Sequence, residues 1–124
     1  MILIIDDDES MAETCSMYLE AHGFNVSIAA SGAEALARIQ ANSHELIISD
    51  CAMPGMSGVE LSEKLRGDPS TATLPILLMS ASLRCEIADS LSYDAFLRKP
   101  FLAENLLVEV RKLLGASANN YVQV

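Results

Sequence analysis

The stretch ILIIDDDES, residues 2–10, reads as a buried strand that runs straight into a cluster of carboxylates. Ile2–Ile5 shows no polar alternation, the pattern of a strand covered on both faces, and Asp6, Asp7 and Asp8 follow it without a spacer. Short β-branched or aliphatic runs return at Val26–Ala29, Leu46–Ser49, Ile76–Met79 and Ala95–Leu97. Helical segments lie between and after them. Met11–His22 places Met11, Cys15, Tyr18, Leu19 and His22 on one face; Ala33–Gln40, Val59–Arg66 and Leu102–Leu114 follow the same spacing. A short fourth helix is predicted at Leu83–Leu91, with Ile87 and Leu91 as its apolar pair. Gly23, Gly67-Asp68-Pro69 and Gly115 supply stop signals. Strand and helix alternate five times, which predicts an α/β domain with a parallel sheet and right-handed crossovers.

At 124 residues the chain is one domain in length. Half of it is hydrophobic (51%), enough for a core and too much for a disordered segment. Lys plus Arg number 8 and Asp plus Glu 17, a net charge of 8 − 17 = −9. That balance predicts no direct nucleic-acid partner and no anionic membrane surface, both of which need clustered cations. The apolar runs are far too short to span a bilayer, and no basic segment precedes Met1–Ile5. Cys15, Cys51 and Cys85 are odd in number and widely spaced, and read as free thiols in a cytoplasmic protein. The residues Gly115–Val124 read as a loose tail after a domain of residues 1–114.

The unusual polar residues share one position in this pattern. Asp6–Asp8, Asp50, Ser80 and Lys99-Pro100 each follow a predicted strand, so all sit at carboxyl ends, where open α/β sheets bind ligands. Two carboxylates about 5 Å apart repel by roughly 3 kcal/mol at an effective dielectric near 20. A raised pKa, a salt bridge or a divalent cation relieves that repulsion. The donor set is oxygen only, which selects a hard ion such as Mg²⁺. A metal, a lysine and a hydroxyl around one carboxylate suit phosphoryl transfer with Asp50 as the nucleophile.

These residues carry a family resemblance. Ile2–Asp7 with Asp8-Glu9-Ser10, the segment SDCAMPGMSG at 49–58, Met79-Ser80-Ala81 and Arg98-Lys99-Pro100-Phe101 resemble the receiver domain of two-component response regulators, over residues 1 to 114. The resemblance implies a doubly wound (βα)₅, flavodoxin-like fold with strand order 2-1-3-4-5, which sets Asp6 and Asp7 beside Asp50, with Ser80 and Lys99 on the next two strands. It implies that Asp50 accepts a phosphoryl group from a histidine kinase or phosphotransfer protein. Asp7 would ligate Mg²⁺, Asp6 would hold a metal-bound water and Ala52 would coordinate through its carbonyl, around Asp50. Ser80 and Lys99 would bind the phosphoryl oxygens, Phe96 would be the switch aromatic, and the Lys99–Pro100 peptide would be cis. Ser57 stands where many relatives have Asp, and Ser80 where Thr is commoner. Ala52 and Ser82 offer no group to orient an attacking water. The helix between Ser80 and Lys99 is about one turn, ~3.6 residues, shorter than usual in the family.

The expected activity is a signalling switch rather than an enzyme acting on a separate substrate. With no effector domain encoded, the expected output is contact with a downstream protein, by a monomer or a phosphorylation-dependent homodimer. Two rivals remain. One is a receiver-like docking module that is not phosphorylated. The other reads Asp6-Asp7-Asp8-Glu9-Ser10 as DxDxS, which resembles haloacid-dehalogenase-type phosphatases with Asp6 as nucleophile and Asp8 as the acid. That family needs a further acidic pair beyond the lysine, and only Glu104 and Glu109 follow Lys99, both in a predicted helix.

Overall fold

The computed structural model describes residues 1–81 and 92–122, with side chains up to Gly115. The expected helix at Leu83–Leu91, Ser82 and Cys85 lie outside the described residues. Five parallel strands form the sheet: β1 (Ile2–Ile5), β2 (Val26–Ala29), β3 (Leu46–Asp50), β4 (Ile76–Ser80) and β5 (Ala95–Arg98). Their order is β2-β1-β3-β4-β5, as the resemblance implied. The described helices are α1 (Glu9–Ala21), α2 (Gly32–Ala41), α3 (Gly58–Arg66) and α4 (Ala103–Val122).

The aliphatic runs become strands because both faces of the sheet are covered. Ile2, Ile4, Leu46, Ile48, Leu77 and Met79 pack with Ala12, Cys15 and Leu19 of α1 and with Leu106, Leu107 and Val110 of α4. The alternate residues Leu3, Ile5, Ile47, Ile76 and Leu78 pack against Ala35 of α2 and Leu61 and Leu65 of α3. Each such Leu or Ile contributes about 1.5–3 kcal/mol on burial, so a slip of one residue in register would exchange the two cores.

Helix starts follow side-chain caps. The Asp8 carboxylate accepts from the Met11 amide, and Ser31 accepts from the Glu34 amide. Ser57 closes a reciprocal capping box with Glu60 at the start of α3. Starts therefore fall at Glu9, Gly32 and Gly58, one or two residues ahead of the apolar spacing that predicted them.

Two expectations are corrected. The last helix does not stop at Gly115 but continues to Val122. Among the described residues only Gly23 and Gly55 take positive φ, so Gly115 makes no left-handed stop. A glycine inside a helix costs only about 1 kcal/mol relative to Ala, and Ala116 and Ala118, strong helix formers, follow it. The cysteines are not all free thiols: Cys15 is free and buried, whereas Cys51 is disulfide-bonded. Disulfides are decided by Cα distances through space, which wide sequence spacing does not reveal.

Candidate functional site

The register explains why distant aspartates meet. Ile5 pairs with Ser49, so Asp6 emerges beside Asp50 on the neighbouring strand. Asp50 in turn pairs with Met79, and Ser80 with Arg98, which sets Ser80 and Lys99 at the ends of the next two strands. Alternation then sorts them by side. Asp6, Asp50 and Lys99 each lie two residues beyond Ile4, Ile48 and Leu97, which pack in the α1/α4 core. Phe96 lies in strand register with Leu78, two residues before Ser80, and packs with the α3-side core.

Asp6, Asp7 and Asp50 each present a carboxylate oxygen within 4.8 Å of the others. Asp6 and Asp50 are buried and Asp7 is exposed. The Lys99 ammonium donates to Asp6 Oδ2 at 3.2 Å and lies 3.3 Å from Asp50 Oδ1. One cation thus bridges two buried carboxylates from different strands. The Lys99–Pro100 peptide is cis. Asp8, the third aspartate of the run, is turned away into its cap on α1, and its amide donates to Asp6 Oδ1 at 3.0 Å.

Burial raises the Asp50 pKa above its ordinary value; Lys99 opposes the rise, and the Asp6 and Asp7 carboxylates add to it. Burial pulls on Lys99 in the downward direction, but Asp50 and Asp6 outweigh it and hold its pKa above the usual range. The pocket is therefore a partly compensated anionic site: three carboxylates converge, and one ammonium answers them. Oxygen-only donors in this number suit a hard divalent cation.

Ser80 is buried at the end of β4. Phe96 is half-buried, its ring centroid 6.3 Å from that of Tyr93. Ala52 is exposed at the start of the loop that leaves β3. Sequence reading passed over Ser49, a fully buried serine whose hydroxyl donates to the Asp50 carbonyl at 3.0 Å. The signal for it was slight, a lone hydroxyl inside an otherwise aliphatic strand.

A family profile described as "Response regulator receiver domain" matches residues 2–111, almost the whole chain. The chain belongs to the response regulator receiver family. Among its relatives, the phosphate regulon transcriptional regulatory protein PhoB of Rhizobium meliloti is 34% identical over 118 residues, covering 91% of this chain and 51% of PhoB. The chain spans about half the length of the curated relatives it matches first. A CheY-like receiver domain protein from Methanospirillum hungatei superposes with a TM-score of 0.87 at 30% identity, covering 96% of each chain. TrrA from Thermotoga maritima, solved in complex with Mg²⁺-BeF, gives a TM-score of 0.82 at 30% identity over 90% of this chain and 96% of TrrA. This protein is thus a receiver domain of two-component signalling, and its acidic cluster lies at the carboxyl ends of the receiver sheet. No helix among its described residues is long and apolar enough to cross a membrane.

Proposed function

We propose that this receiver domain takes a phosphoryl group onto Asp50 from the phosphohistidine of a histidine kinase or phosphotransfer protein, and that the modified domain docks a downstream protein. The observation that carries this reading is the convergence of Asp6, Asp7 and Asp50 within 4.8 Å, with Lys99 bridging Asp6 and Asp50. In the proposed step an Asp50 carboxylate oxygen attacks phosphorus, the P–N bond of the donor breaks, and the imidazole leaves with a proton. Hydrolysis later returns inorganic phosphate and the free carboxylate.

Asp7 and Asp50, together with the Ala52 carbonyl, would hold Mg²⁺, with Asp6 retaining a metal-bound water. The converging oxygen donors fit such an ion, which supplies charge neutralisation to the transferring group. Lys99 lies close enough to Asp50 to exchange a carboxylate oxygen for a phosphoryl oxygen. The Ser80 hydroxyl would donate to another. Phosphorylation then favours whichever arrangement lets Ser80 and Lys99 engage the phosphoryl group, with Phe96 responding on the same face of the sheet as Ser80. Ala52 offers no acid or amide to orient water, which supports slow hydrolysis. The reading also treats residues 1–114 as the working unit of the receiver, with Gly115–Val124 outside it, and places it in the cytoplasm as a monomer or a phosphorylation-dependent homodimer.

The test is incubation with acetyl phosphate and Mg²⁺, followed by mass spectrometry. A base-labile phosphoryl adduct on Asp50 is expected, and Asp50→Asn should abolish it while leaving the fold intact. Labelling of Asp50→Asn at the wild-type rate would refute the acceptor assignment. An adduct on Asp6, or turnover of a phosphomonoester, would favour the phosphatase reading; against it, Asp8 is committed to capping α1 rather than free to act as an acid. No adduct on a folded protein would favour the docking module.

A further inference from the structure

The end of β3 holds the proposed acceptor and the loop that follows it the proposed backbone ligand, so the peptide units between Asp50 and Ala52 must be set accurately. Their polar groups are taken up one after another. The Asp50 carbonyl accepts from the Ser49 hydroxyl at 3.0 Å. The Cys51 amide donates to the Met79 carbonyl at 2.7 Å, and the Cys51 carbonyl accepts from the Gly58 amide at 2.8 Å. Gly58 also closes over the same spot. A Cβ at that position would lie 2.3 Å from the Asp50 carbonyl oxygen and 3.0 Å from the Cys51 Cα, so the first turn of α3 rests directly on the acceptor's own peptide.

Of these contacts, the hydroxyl is the one made by a side chain that an apolar strand does not need. Ser49 is fully buried in a strand whose other inward residues are aliphatic, in register between Ile5 and Leu78. A buried hydroxyl must find a partner. Here the partner is the carbonyl that fixes the plane of the Asp50–Cys51 peptide, and the next carbonyl but one along the chain is that of Ala52.

We infer that Ser49 is a positioning residue for phosphoryl transfer: its hydroxyl, together with the close approach of Gly58, holds the Asp50–Cys51 peptide so that the Asp50 carboxylate and the Ala52 carbonyl face the same site. Ser49 touches neither the phosphoryl group nor the metal. This inference rests on the proposed acceptor role of Asp50.

The experiment measures acetyl phosphate labelling of the full chain at saturating Mg²⁺ for wild type, Ser49→Ala, Ser49→Thr and Ser62→Ala. Ser62 is the matched control. Its side chain is also buried, and its hydroxyl meets the Val59 carbonyl and the Ser92 hydroxyl within and beyond α3 rather than the Asp50 peptide. Ser49→Ala is expected to slow labelling by about three- to tenfold, the range spanned by one buried neutral hydrogen bond. Half-saturation by the donor should stay unchanged, Ser49→Thr should restore the rate to within about twofold, and Ser62→Ala should leave it alone. If Ser49→Ala does not fold, Gly58→Ala carries the comparison, because its Cβ must displace the Asp50 carbonyl; slower labelling is expected. Labelling of Ser49→Ala or Gly58→Ala at the rate of Ser62→Ala overturns the inference while leaving the acceptor role standing. Failure of the wild-type protein to label at Asp50 overturns both.

Discussion

Replacing Lys99 by Met should turn the ion bridge into an electrostatic fault whose size depends on pH and on Mg²⁺. The Lys99 side chain is 18% exposed, and its partners Asp6 and Asp50 are 1% and 11% exposed, so solvent screens these pairs only partly. At an effective dielectric near 20, an ion pair at 3.2 Å has a gross attraction of about 5 kcal/mol. Two carboxylate oxygens within 4.8 Å of each other repel by at least about 3.5 kcal/mol. Desolvation offsets much of the attraction, but loss of the cation alone leaves its partners buried and unanswered. The expected net destabilisation is about 3 kcal/mol near neutral pH without metal.

Its pH dependence has a definite sign. The Asp50 pKa is already raised by burial, and removing Lys99 takes away the main opposing influence. A carboxyl whose folded pKa lies above its unfolded value gives its full stabilisation below the unfolded pKa and loses it as pH rises through the folded one. The Lys99→Met deficit should therefore be small in acid and grow toward neutrality. Saturating Mg²⁺ should reduce it to about 1 kcal/mol by replacing the missing positive charge. The assay is urea unfolding followed by circular dichroism, since the chain has no Trp. A deficit that stays flat with pH and indifferent to Mg²⁺ would refute the reasoning, because it would trace the loss to packing of the lysine stem instead.

Two further substitutions probe separate parts of the molecule. Asp7→Ala removes the exposed member of the acidic cluster and should weaken Mg²⁺ binding by about tenfold or more, ~1.4 kcal/mol; an unchanged calorimetric titration would exclude Asp7 as a ligand. His44, whose Nδ1 lies 3.1 Å from the Asn42 carbonyl, has its pKa lowered from the ordinary 6.5, chiefly by burial. Its neutral form stabilises the fold above that value, and the contribution is lost as pH falls through the lowered pKa. His44→Gln should therefore lose less stability than wild type between neutral pH and mild acid, and parallel pH–stability curves for the two proteins would count against this.

Much of the architecture was legible in one dimension because its causes are local. Ile2–Ile5 and Leu46–Ile48 show by their unbroken aliphatic character that both faces of the sheet are covered, and the aspartates that follow them mark the carboxyl-end rim. Strand order, by contrast, came from resemblance, since periodicity says what a segment is and not what lies beside it. Helix ends were legible only in part. Gly115 has the chemistry of a stop, yet whether a glycine ends a helix depends on its own φ, and here the helix runs on to Val122.

Sequence alone established an α/β chain with carboxylates, a hydroxyl and a lysine at successive strand ends. Composition and spacing did not divide labour within Asp6–Asp8, which only the resemblance did, because three adjacent residues of one type differ only in direction: Asp6 is buried in the site, Asp7 stays exposed beside it and Asp8 caps α1. Nor could they place Lys99 between Asp6 and Asp50, 93 residues from the first of them. The engagement of Cys51 in a disulfide and the seat of the Asp50 carbonyl under Ser49 and Gly58 were equally out of reach. The physical reason is common to all of these. Burial pattern and capping are written within a few residues of the chain. Distances of about 3 Å between charged or hydrogen-bonded groups exist only after the sheet has set its register.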